Sequence, residues 1–285
     1  MNRKLILFAV AVMLILVLDR EILSQSQIVN SKDGTGISFY TEGSGEPALV
    51  FIHGWSCDKS YWAGQVKAFS PKYKVITIDL AGHGESGLER KDYTMQLFGE
   101  DVAAVVNELG LKKVILIGHS MGGAVVIEAA NLLKGKVIGL IGADTFQNLG
   151  ETFPEEQMLQ FLKPFKENFV ENTKGFVNSM FPPAADQKLV KKVADDMSSA
   201  PPRVALSAME NMFKDDGVDA LKKLDVPIIS INCDMYPVKV EQNRKLVKSF
   251  EVKLMKGSGH FVMLDNPELF NELLQDAVKE LSDVK

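Results

Sequence analysis

The chain has 285 residues, 46% of them hydrophobic and 24% charged, with a formal net charge of −5. That composition excludes a disordered or low-complexity protein, and its mixed, slightly acidic balance excludes the basic face that nucleic-acid binding requires. Two cysteines, Cys57 and Cys233, supply neither a disulfide framework nor a metal spacing, and free thiols are expected over a single bridge.

The first 26 residues read as separate from the fold. Arg3 and Lys4 precede an unbroken apolar run from Leu5 to Leu18, and Asp19, Arg20 and Glu21 follow it at once. A run of this length suits a signal-peptide core better than the roughly 20 residues of a membrane span. The cleavage region is poor, with Ser24 and Ser26 the only suitably spaced small pair, so an uncleaved anchor is the alternative. Both readings place the rest of the chain outside the cytoplasm, periplasmic or extracellular, and the anchor reading adds membrane association through this segment.

Next, "IVNSKDGTGISFYTEG" predicts two short strands around an Asp33-Gly34 turn. "ALVFIHG" is a continuous apolar run, the pattern of a strand buried on both faces, and "KVITIDLAGHGES" repeats the design with a strand ending at Asp79. Phe98, Val102, Val105, Val106 and Leu109 follow helical spacing from Met95 on. "KKVILIGHS" is a strand, Gly122 to Leu133 a helix, and "KVIGLIGAD" another strand. This alternation predicts an α/β protein with a mostly parallel sheet and helices on both faces.

The rhythm stops at residue 145. Residues 145–224 hold no strand pattern but apolar-rich helical stretches, expected to break at Pro154, Pro164, Pro182-Pro183 and Pro201-Pro202. Their phenylalanines and methionines read mostly as core. Strand rhythm returns at "VPIISIN", followed by a helix near Val240 to Val247, a last strand in "EVKLMKGSGHF" and a closing helix in "NPELFNELLQDAVKEL". Residues 27–144 and 225–285 therefore form one core, with 145–224 inserted between two strands as a helical lid.

Within this frame "LIGHSMGG" carries chemistry. A serine hydroxyl is a weak nucleophile that needs a positioned base. Gly118-His119-Ser120-Met121-Gly122 places a serine at a strand-to-helix corner, where glycines give room for a strained turn and close packing. That corner lies at the C-terminal edge of the sheet, where open α/β folds bind ligands. A structural glycine-rich turn is the bland reading.

"FIHGW", "DLAGHGESG", "GHSMGG" and "GSGHF", in this order, resemble the α/β-hydrolase family, in its lidded serine esterase and lipase form, over residues from about 35 to 285. The resemblance implies a nucleophile elbow at Ser120, a base at His260, and an oxyanion hole from the amides of Trp55 and Met121. It implies that His53 and His83 shape the site without taking protons, and that His119 points elsewhere.

The acid departs from the family pattern. In "PIISINCDMYP", Cys233 stands where a glycine is usual and Tyr236 stands in the usual acid position. Asp234 is the nearby carboxylate, on a loop shortened by about two residues. The other candidate is Asp144, read as ending a strand two along from that of Ser120; some relatives take their acid there, or else Asp144 caps or tethers the lid. Cys57, Asp58, Trp62 and Tyr236 are pocket neighbours by position, unless Trp62 is core and Asp58 starts a helix.

The expected function is hydrolysis of a small-molecule carboxylic ester with a hydrophobic acyl or aryl group, through an acyl-enzyme. The alternatives are a non-hydrolytic reaction on the same scaffold, such as a lyase or perhydrolase, or an inactive ligand-binding protein. No metal cluster, dinucleotide fingerprint or phosphate loop occurs, so no cofactor is expected.

Overall fold

The structure, a computed structural model, describes residues 26–214 and 217–283. The apolar N-terminal run lies outside the described residues. Among the described residues no helix is long and apolar enough to cross a membrane.

Eight strands form one sheet in the order β1-β2-β4-β3-β5-β6-β7-β8. Strands β1 (Gln27–Asn30) and β2 (Gly36–Glu42) make the antiparallel hairpin expected around Asp33-Gly34, and β2 also runs antiparallel to β4 (Val75–Ile78). The remaining pairs are parallel: β3 (Ala48–Ile52) with β4 and β5 (Val114–His119), β5 with β6 (Val137–Ala143), β6 with β7 (Ile228–Cys233), and β7 with β8 (Phe250–Met255). All residues of β3, β4, β5 and β7 are buried, which is why those segments read as unbroken apolar runs rather than alternating ones.

Helices Ala63–Phe69, Met95–Glu108, Met121–Leu132 and Pro267–Asp283 cover the faces of the sheet. Polar caps visible in the sequence start one of these helices and a short turn: Thr94 accepts from Leu97 N at Met95–Glu108, and Asp58 accepts from Ser60 N at the 3₁₀ turn Lys59–Trp62 before Ala63. Asp58 thus starts a helix, and Trp62 is fully buried core against Phe51 and Phe270. The helix expected over 240–247 covers only Val240–Asn243. Beyond it the backbone tightens to bonds three residues apart, Lys245 N to Gln242 O at 3.1 Å and Leu246 N to Asn243 O at 3.0 Å.

Between β6 and β7 the chain makes Glu155–Glu167, Phe169–Ser179, Gln187–Ser198, Pro202–Lys214 and Val218–Lys223. Pro164 does not break its helix. Its missing N–H costs the bond to the carbonyl four residues back, and the buried face of Met158, Leu162 and Phe165 keeps the helix together across it. The insertion is fastened to the core by Trp55, whose Nε1 donates to Ala205 O at 2.7 Å and whose ring meets Phe165, Phe169 and Phe176 edge-on. Arg203 adds bonds to the carbonyls of Leu88 and Arg90.

Candidate active site

Strand register assembles the site. His119 pairs with Ala143 across β5 and β6, so Ser120 and Asp144 leave the same edge of the sheet on adjacent strands. Strand β6 is thus the immediate neighbour of β5, not two along. Ile52 pairs with Gly118, which brings the His53-Gly54-Trp55 turn beside the same corner.

Ser120 sits at φ 51°, ψ −118°, outside the regions an L-residue prefers, and Met121–Leu132 starts directly after it. The corner closes only because its flanking residues lack side chains. A Cβ on Gly118 would lie 2.2 Å from Gly122 O, and one on Gly122 would lie 2.7 Å from Ile52 O. Such a corner lifts the serine out of the sheet edge toward solvent. Met121 begins the helix, so its amide has no partner within it and is free to meet an anion.

The four histidines separate cleanly. His53 is fully buried; its Nε2 accepts from Leu80 N at 3.1 Å, so its Nδ1 donates to Gly54 O at 2.8 Å. Burial pushes its pKa down to about 4, and pushes that of His83, which bonds Ala81 O through Nδ1, down to about 3. His119 donates from Nε2 to His260 O at 3.1 Å, and burial likewise holds it well below the ordinary range. These three rings are neutral, structural groups. Among the four, His260 is the one whose ring meets a carboxylate: its Nδ1 lies 2.5 Å from Asp144 Oδ2.

That carboxylate belongs to Asp144, not to Asp234. Asp144 is buried to 1% exposure at φ 45°, and its Oδ1 accepts from Cys233 N at 2.9 Å. Asp234 is exposed, and its Oδ1 accepts from Gly257 N at 2.9 Å. The Asp234 candidacy is corrected accordingly: its side chain ties β7's loop to the turn before His260 and does not meet the imidazole. Tyr236, in the usual acid position, presents its ring edge-on to His260 at 6.5 Å.

Two cavities meet at Ser120 and His260. The inner one, about 60 Å³, is lined by Trp55, Cys57, Met180, Met209, Phe176 and Phe261 among others, almost wholly apolar. The outer one, about 310 Å³, opens toward solvent between Asp144–Glu151 and Met121–Glu128. Met212 and Phe213 line both. Phenylalanines and methionines read from sequence as insertion core thus double as cavity wall; helical periodicity marks a buried face but not what it is buried against. Both cysteines are free and buried, and burial pushes the Cys233 thiol up to about 12 and the Cys57 thiol higher still, so neither is a nucleophile at neutral pH.

The ion networks around this edge were not foreseen from sequence. Arg90, 5% exposed, bonds both oxygens of buried Asp101, at 2.6 and 3.1 Å, and also Asp33. Lys59 Nζ lies 2.6 Å from Asp79 Oδ2 and 2.7 Å from Glu85. Their partners are far apart in sequence, so only the fold pairs them. Among the described residues no group of three or more His, Cys, Asp or Glu side chains could hold a metal ion.

Comparison with known proteins agrees with this fold. The model of the "Alpha/beta hydrolase family" matches residues 49–273. A non-heme haloperoxidase of Rhodococcus erythropolis is 28% identical over 265 residues, covering 85% of this chain and 96% of that protein. Among solved structures, an esterase from Exiguobacterium antarcticum superposes with a TM-score of 0.79 at 23% identity, covering 90% of this chain and 100% of that one. A thermophilic esterase from Thermogutta terrifontis gives 0.78 at 23% identity, covering 90% and 99%.

Proposed function

The chain belongs to the alpha/beta hydrolase family, and from that premise we propose that it cleaves a carboxylic ester with a small apolar acyl group through an acyl-enzyme on Ser120. The observation that carries the reading is the Asp144–His260 pair at 2.5 Å, on the wall shared with a serine held at positive φ.

In this mechanism His260 Nδ1–H donates to Asp144, which leaves Nε2 unprotonated to take the Ser120 hydroxyl proton as Oγ attacks the ester carbonyl. Charge then develops on the carbonyl oxygen. The amides of Met121, at the helix start, and Trp55, on the adjacent turn, supply donors that need not reorganise. Collapse expels the alcohol, protonated by the imidazolium, through the open outer cavity. Water then attacks the acyl carbon as it gives a proton to His260, and the imidazolium returns that proton to Ser120 Oγ as the Oγ–acyl bond breaks and the acid leaves. The inner cavity takes the acyl group. Its apolar lining offers nothing to a charged or polyhydroxylated one, and its volume fits only a short chain.

The test is intact mass after fluorophosphonate treatment of wild type and Ser120→Ala. One adduct on the wild type and none on the variant supports an activated serine. No adduct on either refutes the triad and leaves a ligand-binding protein. Similarity to the protein named haloperoxidase favours a second reading, in which hydrogen peroxide rather than water intercepts the acyl-enzyme. Peracid formed from an ester plus peroxide, at a rate above that of hydrolysis, would distinguish it.

A further inference from the structure

We propose that Asn243, with Ser230 and Asn232, is a positioning residue that holds the Asp144 carboxylate on His260 by fixing the loop that carries it. The proposal rests on the triad reading above. The loop after β6 is not a conformation its own sequence would keep. Asp144 and Phe146, neither of them glycine, have φ of 45° and 63°. Backbone in that region persists only where the surroundings over-determine it.

The surroundings here come from one stretch of chain. Asn232 Nδ2 donates to Thr145 O at 3.1 Å, and the Ser230 hydroxyl, with one proton to give, lies between that same oxygen, at 2.8 Å, and Asn232 Oδ1. Asn243 Nδ2 donates to Phe146 O at 2.7 Å, while its Oδ1 accepts from Leu149 N at 2.8 Å. Lys239 N closes the set on Gln147 O at 2.7 Å. All three side chains are fully buried, where an unmade polar bond is costly.

Asn243 is the member whose chemistry is hardest to replace. It gives a donor and an acceptor from one planar amide to two loop groups, Phe146 O and Leu149 N. Aspartate would lose the donor, leucine would lose both, and serine is too short. Thr145 through Glu151 also wall the outer cavity, so the same bonds set where the leaving alcohol is received.

The readout is the acid limb of the pH profile. The groups facing His260 are Asp144, the His119 ring at 4.8 Å, and the Tyr236 ring at 6.5 Å; Cys233 abuts the Asp144 carboxylate. Burial keeps His119 neutral and keeps the Tyr236 and Cys233 side chains protonated, so Asp144 is the charge that holds the His260 proton. Moving a carboxylate away from a protonated base lets such a base give up its proton at lower pH, which sets the direction of the test.

The experiment measures kcat and KM for a short-chain p-nitrophenyl ester against pH, per serine titrated with fluorophosphonate, in Asn243→Leu, Ser230→Ala and Gln65→Leu. Gln65 is a buried amide that lines neither cavity, bonded to Asn271 at 2.9 Å, and controls for loss of stability alone. Asn243→Leu is expected to lower kcat/KM about 10- to 100-fold, as a small misplacement of a reacting group does. It should also move the acid limb down by about half a unit or more and raise KM. Ser230→Ala is expected to do the same to a smaller extent, and it carries the test should Asn243→Leu not fold. Gln65→Leu should leave the limb in place. A limb that stays fixed in both loop variants, with activity per titrated serine within about twofold of wild type, overturns the positioning role. Asp144→Asn is run beside them: if that variant keeps activity, the triad reading itself has failed.

Discussion

Replacing Asp144 with asparagine tests the site more sharply than deleting it, because the fold dictates how the new amide must sit. Oδ1 of Asp144 accepts from Cys233 N at 2.9 Å and Oδ2 meets His260 Nδ1 at 2.5 Å. An asparagine keeps the Cys233 bond only by placing its carbonyl oxygen there, which turns its NH₂ toward His260. Nδ1 must then accept, so the imidazole proton moves to Nε2, the nitrogen that has to receive the serine proton. The wrong tautomer is held in place by the fold. The lost charge adds to this: a unit-charge pair at about 4 Å is worth about 4 kcal/mol at an effective dielectric near 20, or roughly 10³-fold in rate. The combined expectation is a fall in kcat of between about 10³ and 10⁴-fold with KM little changed. Hydrolysis of a short-chain p-nitrophenyl ester and the rate of fluorophosphonate labelling both report it. Asp234→Asn, which weakens only the exposed bond to Gly257 N, should stay within about threefold of wild type. If Asp144→Asn kept activity within about tenfold while Asp234→Asn lost it, the assignment drawn from the structure would be wrong.

Met209, 2% exposed and lining the inner cavity, limits its size. Met209→Ala should move the preferred acyl chain to longer esters at a stability cost of about 2–5 kcal/mol, checked by a graded ester panel and by urea unfolding. The buried histidines set an acid limit to stability. His53 and His83 titrate near 4 and 3 when folded against 6.5 when unfolded. Their contribution is therefore whole above 6.5 and falls away as pH drops toward about 4, because the unfolded chain takes up protons that the native rings refuse. The loss is on the order of 3 kcal/mol for His53 and 5 kcal/mol for His83 at most, so the urea midpoint should fall steeply between pH 6.5 and 4. A midpoint flat over that interval would contradict the burial argument.

The sequence by itself determined the sheet and the corner, and it singled out the histidine that the fold brings to a buried carboxylate. Unbroken apolar runs such as Leu49 to Ile52 can only be strands buried on both faces, and Gly118 and Gly122 announce a close approach that a Cβ would block. His260 was legible because the resemblance puts the base after the last strand, while His53 and His83 follow other strands and His119 directly precedes Ser120. The acid was not legible. Asp234 lies nearer to His260 in the chain and nearer to the usual position, yet a carboxylate's role depends on where its oxygens point. Only the pairing of β6 with β5 and β7 aims Asp144 at the imidazole, with its other oxygen on Cys233 N. The same holds for Asn243, whose shortened helix and bonds to the 146–149 loop leave no periodic trace, and for Arg90 with Asp101. Local pattern reports which faces are buried, because burial is a property of each segment's own side chains. Partnership across elements is set by register and packing, and so belongs to the tertiary structure.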